Sequence, residues 1–200
     1  MKKLFLLIAT SMLMVATNDV SAQKIKLISG KLGALASESK MNVEYDYSSM
    51  RVGKFAKEQD YIDKKKSDYN EKEAGRGDKW EQSWKDDRAV RFHPQFEELF
   101  NKYSKVMIEE QGDTRYTMIV KTTRTEPGYN IHISRKNAEI DAEVMIVETA
   151  NRSNVIAKLT IMKSPGRTFG GYDYDTGSRI QEAYAAAGKA MGKFMAKNVK

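Results

Sequence analysis

Two apolar runs five residues apart, followed by one long amphipathic stretch, leave the second half of this chain few ways to fold. The first run, Ala142 to Thr149, puts Ala142, Val144 and Ile146 on one side of an extended strand. The second, Val155 to Met162, does the same with Val155, Ala157, Leu159 and Ile161, because successive side chains of a strand point to opposite faces. Between them, Ala150-Asn151-Arg152-Ser153-Asn154 supplies residues that tolerate turn conformations, and an antiparallel hairpin is predicted. After a Pro- and Gly-bearing loop, Ser164 to Gly177, Ser178 with Gln181 three residues on matches a capping box and predicts a helix start. Ile180, Tyr184, Ala187, Met191 and Phe194 then recur at steps of four and three, a face that needs a sheet to cover it. Gly188 and Gly192 on this helix predict close packing against that sheet, and Lys189, Lys193 and Lys197, a turn apart, complement the negative C-terminal end.

The other end of the chain fixes the expected compartment. Lys2 and Lys3 precede an apolar run from Leu4 to Ala16, and Val20-Ser21-Ala22 closes it. This reads as a secretory signal peptide, 1–22, cleaved after Ala22 to leave Gln23 first, since the run is too short for a comfortable membrane span. A periplasmic or secreted chain with no transmembrane span after cleavage is expected. The sequence contains no cysteine, which excludes disulfides, thiol catalysis, cysteine-ligated metal and a lipid anchor on cysteine. Export without disulfides fits a bacterial envelope. The formal net charge of +7 at pH 7 favours anionic partners such as acidic glycans, and equally keeps a small protein in solution.

Residues 23–40 show no sustained period and read as a partly ordered leader, so that 41–200 forms the single domain. Met41, Val43, Tyr45 and Tyr47 alternate with Asn42, Glu44 and Asp46, which predicts the sheet's first strand, running on toward Met50 or Val52. More than half of the segment 54–91 is charged, 11 basic and 10 acidic residues, and it reads as an insertion of short surface helices broken at Gly75 and Gly77. His93-Pro94 opens a helix carrying Phe96, Leu99, Phe100 and Tyr103, with the proline in a first turn where its missing amide costs nothing. Tyr116 to Thr123 reads as a strand, Glu126-Pro127-Gly128 as a turn, and Tyr129 to Ser134 as a further strand. The expected fold class is α+β: a mixed, mainly antiparallel four- to five-stranded sheet packed by two main helices, with a charged helical insertion.

The back half resembles the α/β fold of the amino-terminal domain of TolB and of curli-secretion-type outer-membrane assembly proteins. The residues that carry the likeness are Tyr116 to Thr123, Ala142 to Thr149, Val155 to Met162, Gly170-Gly171, and the helix ending Gly188-Lys189-Ala190-Met191-Gly192-Lys193-Phe194. The chain also resembles uncharacterised secreted envelope proteins of that general kind. The resemblance implies a domain that associates with other envelope proteins. Those relatives often carry a lipid-anchoring cysteine, which this chain lacks.

Candidate chemistry is sparse. The loop 164–177 offers Arg167, Phe169, Tyr172, Asp173 and Asp175 as groups for a small ligand, a glycan or a small anion, or else is a glycine-rich connection with acids placed at a helix N-terminus. Asp173, Asp175 and Gly177 resemble the start of a calcium loop, but Tyr184 stands where its last carboxylate is required. Trp80 and Trp84, one turn apart, form a ligand platform or anchor a helix on the core. His93 and His132, the chain's two histidines, sit in no nucleophile motif. His93 reads as a cap or surface residue, and an enzyme would need one of the two to converge with carboxylates in a cleft. No enzyme, cofactor or metal and no nucleic-acid partner is expected. The expected function is association within the envelope without chemistry, with a ligand-binding module using the 164–177 loop as the alternative.

Overall fold

The hairpin and the helix that follows it form the centre of the molecule. The structure, a computed structural model, describes residues 23–131, 134–166 and 175–200. In chain order its elements are β1 (Lys24–Gly30), a 3₁₀ turn (Leu32–Leu35), β2 (Lys40–Asp46), β3 (Arg51–Val52), α1 (Glu58–Asn70), α2 (Arg76–Asp87), a π-turn (Arg88–Phe92), α3 (His93–Tyr103), β4 (Met107–Glu109), β5 (Tyr116–Glu126), β6 (Tyr129–Ile131), β7 (Ser134–Lys136), β8 (Ala138–Glu148), β9 (Val155–Gly166) and α4 (Thr176–Asn198).

The main sheet runs β1-β9-β8-β5-β2-β4, with β3 also on β5, and β6 and β7 form a separate two-stranded ladder. The long pairings β1/β9, β9/β8 and β8/β5 are antiparallel, whereas β2/β5, β2/β4 and β3/β5 are parallel. Parallel neighbours need a crossover, and α1 to α3 supply it between β2 and β5. The class is therefore α+β with a mixed sheet. Its seven strands exceed the four to five expected, because an edge strand and two very short parallel strands join the hairpin.

The edge strand is β1, which lies in the stretch read as a partly ordered leader and pairs with β9 from Lys24↔Met162 onward. The strand at Met41 is thus the second of the sheet, and it stops at Asp46, with Arg51–Val52 forming its own short strand on β5. The run Tyr129 to Ser134 divides into parts of β6 and β7.

Val144, Ile146 and Ile161 are wholly buried, as alternation requires. Val155 is exposed, because a register shift at Ile146/Val147 displaces the start of β9. On α4 the stripe Ile180, Tyr184, Ala187 and Met191 is buried and Phe194 packs at its margin. The cap lies three residues earlier than the capping box predicts. Asp175 is the N-cap and accepts the Gly177 amide at 2.8 Å, Ser178 Oγ donates to Asp175 at 2.9 Å, and the Gln181 amide donates instead to Gln95 at 3.1 Å.

Gly188 and Gly192 have their closest neighbours on helix α3, not on the sheet that the sequence leads one to expect. A Cβ at Gly192 would lie 2.5 Å from the Phe100 carbonyl oxygen and one at Gly188 would overlap the Phe96 carbonyl, so α3 runs along α4 in the same direction at close approach. The 54–91 segment is an ordered helical hairpin. Gly75, at φ +79, breaks it as the sequence predicts, but Gly77 lies within α2, where a Cβ would strike the Lys66 carbonyl.

Candidate functional site

The site grows from the end of β2. Alternation turns Val43, Tyr45 and Tyr47 toward the helical layer, and Tyr45 and Tyr47 leave the buried core just where the strand ends. The helical run opposite is unbroken from Arg76 to Tyr103, but it contains the π-turn, closed by the His93 amide bonding to the Arg88 carbonyl five residues back. Pro94 explains the widening. It has no N–H for the Val90 carbonyl and its ring crowds that oxygen, so the turn opens rather than continuing as α-helix. Residues five apart, which an α-helix would separate by roughly 140°, are thereby brought to bear on one ring. The Arg88 guanidinium lies 4.2 Å from the centroid of Tyr47, and His93 Nε2 lies 3.1 Å from the Tyr47 hydroxyl.

His93 is consequently neither a cap nor a surface group. Its ring stacks on Tyr45 at 3.7 Å and 7° between planes, and its Nδ1 lies 3.3 Å from a Glu110 carboxylate oxygen. A carboxylate only accepts, so Nδ1 carries the proton and Nε2 accepts from Tyr47. Burial lowers the His93 pKa, and the nearby Arg88 lowers it further against the opposing pull of Glu110. The imidazole is neutral near pH 7.

The same burial acts on its neighbours. Tyr45 donates to Glu97 at 3.0 Å, and burial, then the Glu97 charge, push that phenol far up. Tyr47 is pushed up by burial and by the adjoining Tyr184. Tyr184, fully buried and itself raised by burial, shares a 2.6 Å hydrogen bond with Thr122 and stacks on Phe92. Burial also raises Glu97. The cluster therefore joins a neutral imidazole to protonated phenols, with one exposed carboxylate at its rim.

Two depressions flank it. One, of about 770 Å³, is lined by Tyr45, Ser48, Ser49, Glu58, Gln59 and Arg88 among others. The other, of about 370 Å³, is lined by Asn42, Tyr45, His93, Glu110 and Gln111 among others. Gln111 takes φ +59, a conformation that is uncommon outside glycine. Arg88 Nη2 lies 2.5 Å from Glu58 Oε1, which also accepts from Trp84 Nε1 at 2.6 Å. The larger depression thus presents aromatic faces, hydroxyls and a braced guanidinium, groups that orient a polar ligand.

Of the candidate ligand residues singled out in the sequence, Trp80, Trp84 and Asp175 are described, and they lie elsewhere. Trp84 is buried, and Trp80 stacks on it at 5.7 Å within a group completed by Tyr61, Tyr69 and Phe55. The pair anchors α2 on α1 and offers no open platform. Asp175 is occupied as the α4 cap and by ion pairing with Arg91, which also holds Asp87 at 3.0 Å. Arg167, Phe169, Tyr172, Asp173 and His132 lie outside the described residues, as does 1–22. No group of three or more metal-ligating side chains occurs among the described residues, and no helix there is long and apolar enough to cross a membrane. The sequence signal that points to this site is the alternation that brings Tyr45 and Tyr47 to one face of β2. Nothing local announces Glu110.

No family model and no curated protein matches the chain. Solved structures that align with it include the PelC dodecamer from Paraburkholderia phytofirmans, 11% identical, covering 90% of this chain and 99% of that one at a TM-score of 0.42. A point variant of that dodecamer from the same organism is 10% identical, with the same coverage and a TM-score of 0.40.

Proposed function

We propose that this chain is an exported, non-enzymatic binding domain of the bacterial envelope, cleaved after Ala22, which associates with envelope partners and holds a small polar ligand at the end of β2. The observation that carries the ligand site is His93 fixed between the Tyr45 ring, the Tyr47 hydroxyl and Glu110, directly beside two open depressions. Its electrostatics favour holding over reacting. Phenols pushed up by burial donate hydrogen bonds without ionising, and a depressed imidazole accepts one without taking a proton. The signal-peptide pattern and the resemblance of the back half to envelope domains support the compartment and the association.

One observation favours a second reading. Glu110, His93 and Tyr47 stand in line, the geometry of a proton relay with tyrosine as its acid. A single experiment separates the two: titrating isotopically labelled protein with galacturonate, N-acetylglucosamine and citrate while following amide and imidazole resonances. Shifts confined to Tyr45, Tyr47, Ser48, Arg88 and His93, lost in Arg88→Ala, support binding. Any turnover that disappears in His93→Ala overturns the non-enzymatic reading. Recovery of a full-length cytoplasmic protein on cell fractionation overturns export.

A further inference from the structure

The cleft lies toward the N-terminal part of α3. Five lysines gather at the other end of the same helix. Because α3 and α4 run parallel, with Gly188 against Phe96 and Gly192 against Phe100, their C-termini emerge together. There Lys189 and Lys193 of α4 both reach the ring of Tyr103 on α3, at 5.4 and 5.0 Å from its centroid. Lys197 continues the α4 row one turn on, and Lys102 and Lys105 flank Tyr103 in the chain. No acidic residue occurs between Leu99 and Ile108 or between Ala183 and Lys200. The nearest acids on the two helices lie back along them, Glu98 bonded to Gln95 and Glu182 two turns before Lys189.

Several lysines elsewhere sit against carboxylates. Lys64, Lys66 and Lys85 on the α1–α2 hairpin each have a carboxylate partner, as do Lys40, Lys121 and Lys136 on the sheet side. The five lysines at the α3–α4 end form no ion pair with any described carboxylate, against a net formal charge of +7 for the whole chain. Two helix dipoles offset only about one of those five charges, and the effect fades beyond the last turn, which holds Lys197 but not Lys189. Like charges four apart on a helix repel, so the row Lys189, Lys193, Lys197 carries a cost that the Tyr103 ring and the helix dipole offset only in part.

We infer that this end of the molecule is a binding surface for a linear acidic polysaccharide, bearing carboxylates along its length. The three α4 lysines advance about 6 Å per step along the helix axis in a slowly winding row, matched to an extended chain with well-separated single charges. A nucleic-acid duplex, with one charge per roughly 1.7 Å of axis, is far denser than this row. A bilayer surface is recognised by basic residues together with apolar ones that insert, and none of the exposed large apolar residues lies on α3 or α4. This inference is independent of the β2 site, since the two share no residue.

The test uses the folded chain and fluorescently labelled polygalacturonate, followed by polarisation at rising salt. Binding is expected to weaken steeply as salt is added, and to drop by about tenfold or more in Lys189→Gln/Lys193→Gln/Lys197→Gln. A triple of equal charge on the α1–α2 hairpin, Lys65→Gln/Lys72→Gln/Lys79→Gln, is expected to bind as the unaltered chain does. Lys65 is half-buried and the other five positions are exposed, and circular dichroism with a melting curve verifies that both triples fold. No binding to polygalacturonate, equal loss in the two triples, or tighter binding to anionic phospholipid vesicles or duplex DNA than to the polysaccharide would each overturn the assignment.

Discussion

Substituting the two α4 glycines by alanine tests the closest approach in the fold, and with the opposite sign from what helix propensity alone demands. In an exposed helix interior, Gly→Ala stabilises by about 1 kcal/mol, because glycine gives up more backbone freedom on folding. At Gly192 the new Cβ would lie 2.5 Å from the Phe100 carbonyl oxygen and 3.2 Å from its carbon. At Gly188 it would lie 2.9 Å from the Phe96 carbonyl carbon and closer still to the oxygen. Relieving either contact means parting two backbones by the better part of an ångström, and both Phe96 and Phe100 are wholly buried and cannot yield. Overpacking of this kind costs about 1–3 kcal/mol, occasionally more. Net of the propensity gain, each single variant should lose up to about 2 kcal/mol, lowering the melting temperature by up to roughly 8 °C in a chain of this length. The double variant should lose less than the sum, because one separation of the helices accommodates both methyl groups. Urea titration monitored by far-ultraviolet circular dichroism reads all three numbers. Stabilisation by either alanine, or a double variant that costs more than the sum, would refute the parallel α3–α4 contact.

Three further outcomes follow from the same geometry. Asp175→Ala should cost about 1–2 kcal/mol as the lost cap of α4, whereas Ser178→Ala should cost much less, and chemical denaturation of the pair locates the cap. Burial would raise the Asp175 pKa, but Arg91, Ser178 and the Gly177 amide together hold it below the ordinary carboxylate value, so its contribution is present above the unfolded pKa and is lost as pH falls through the folded one. His93 should titrate below the usual imidazole value, and because its folded pKa is depressed its contribution is present at neutral pH and is lost as acid drives the ring to charge. Nuclear magnetic resonance titration of the ring protons checks this. Trp84→Ala should cost about 3–5 kcal/mol, with Trp80→Ala costing less because that ring is only half-buried, a ranking that denaturant midpoints will show.

What the sequence made legible follows burial. The β8–β9 hairpin and α4 carry their pattern in residues that are wholly covered, so the apolar period was strong enough to read. In β1 only Ile25 is half-covered, and Leu27 and Ile28 are exposed. An edge strand held mainly by backbone bonds leaves little periodicity to find. The cap of α4 was ambiguous for a different reason, since Asp175 and Ser178 are both good caps three residues apart and the choice rests on Arg91, which arrives from the π-turn. The Trp80–Trp84 pair reads identically as platform or anchor until the partner rings Tyr61 and Tyr69 are placed. His93 was misassigned because its partners, Tyr47 and Glu110, lie far from it in the chain.

The proline at 94 shows how a local rule and its context diverge. As a first-turn residue it signals a new helix, and α3 does begin there by its bonding. Yet a true start carries a capping side chain, and here Phe92 and His93 precede the proline with none to offer. That missing cap is the legible sign that the chain enters already helical. Once α2 and α3 are one continuous run, proline cannot be absorbed without widening a turn, and the widened turn is what points Arg88 and His93 at the same tyrosine. The residue that disrupts the helix therefore also builds the site. The strain is borne where the exposed Val90 leaves the turn unpacked on its outer side, so the fold can hold an irregular turn at the edge of its core without disturbing the buried rows of α3 and α4 on either side of their contact.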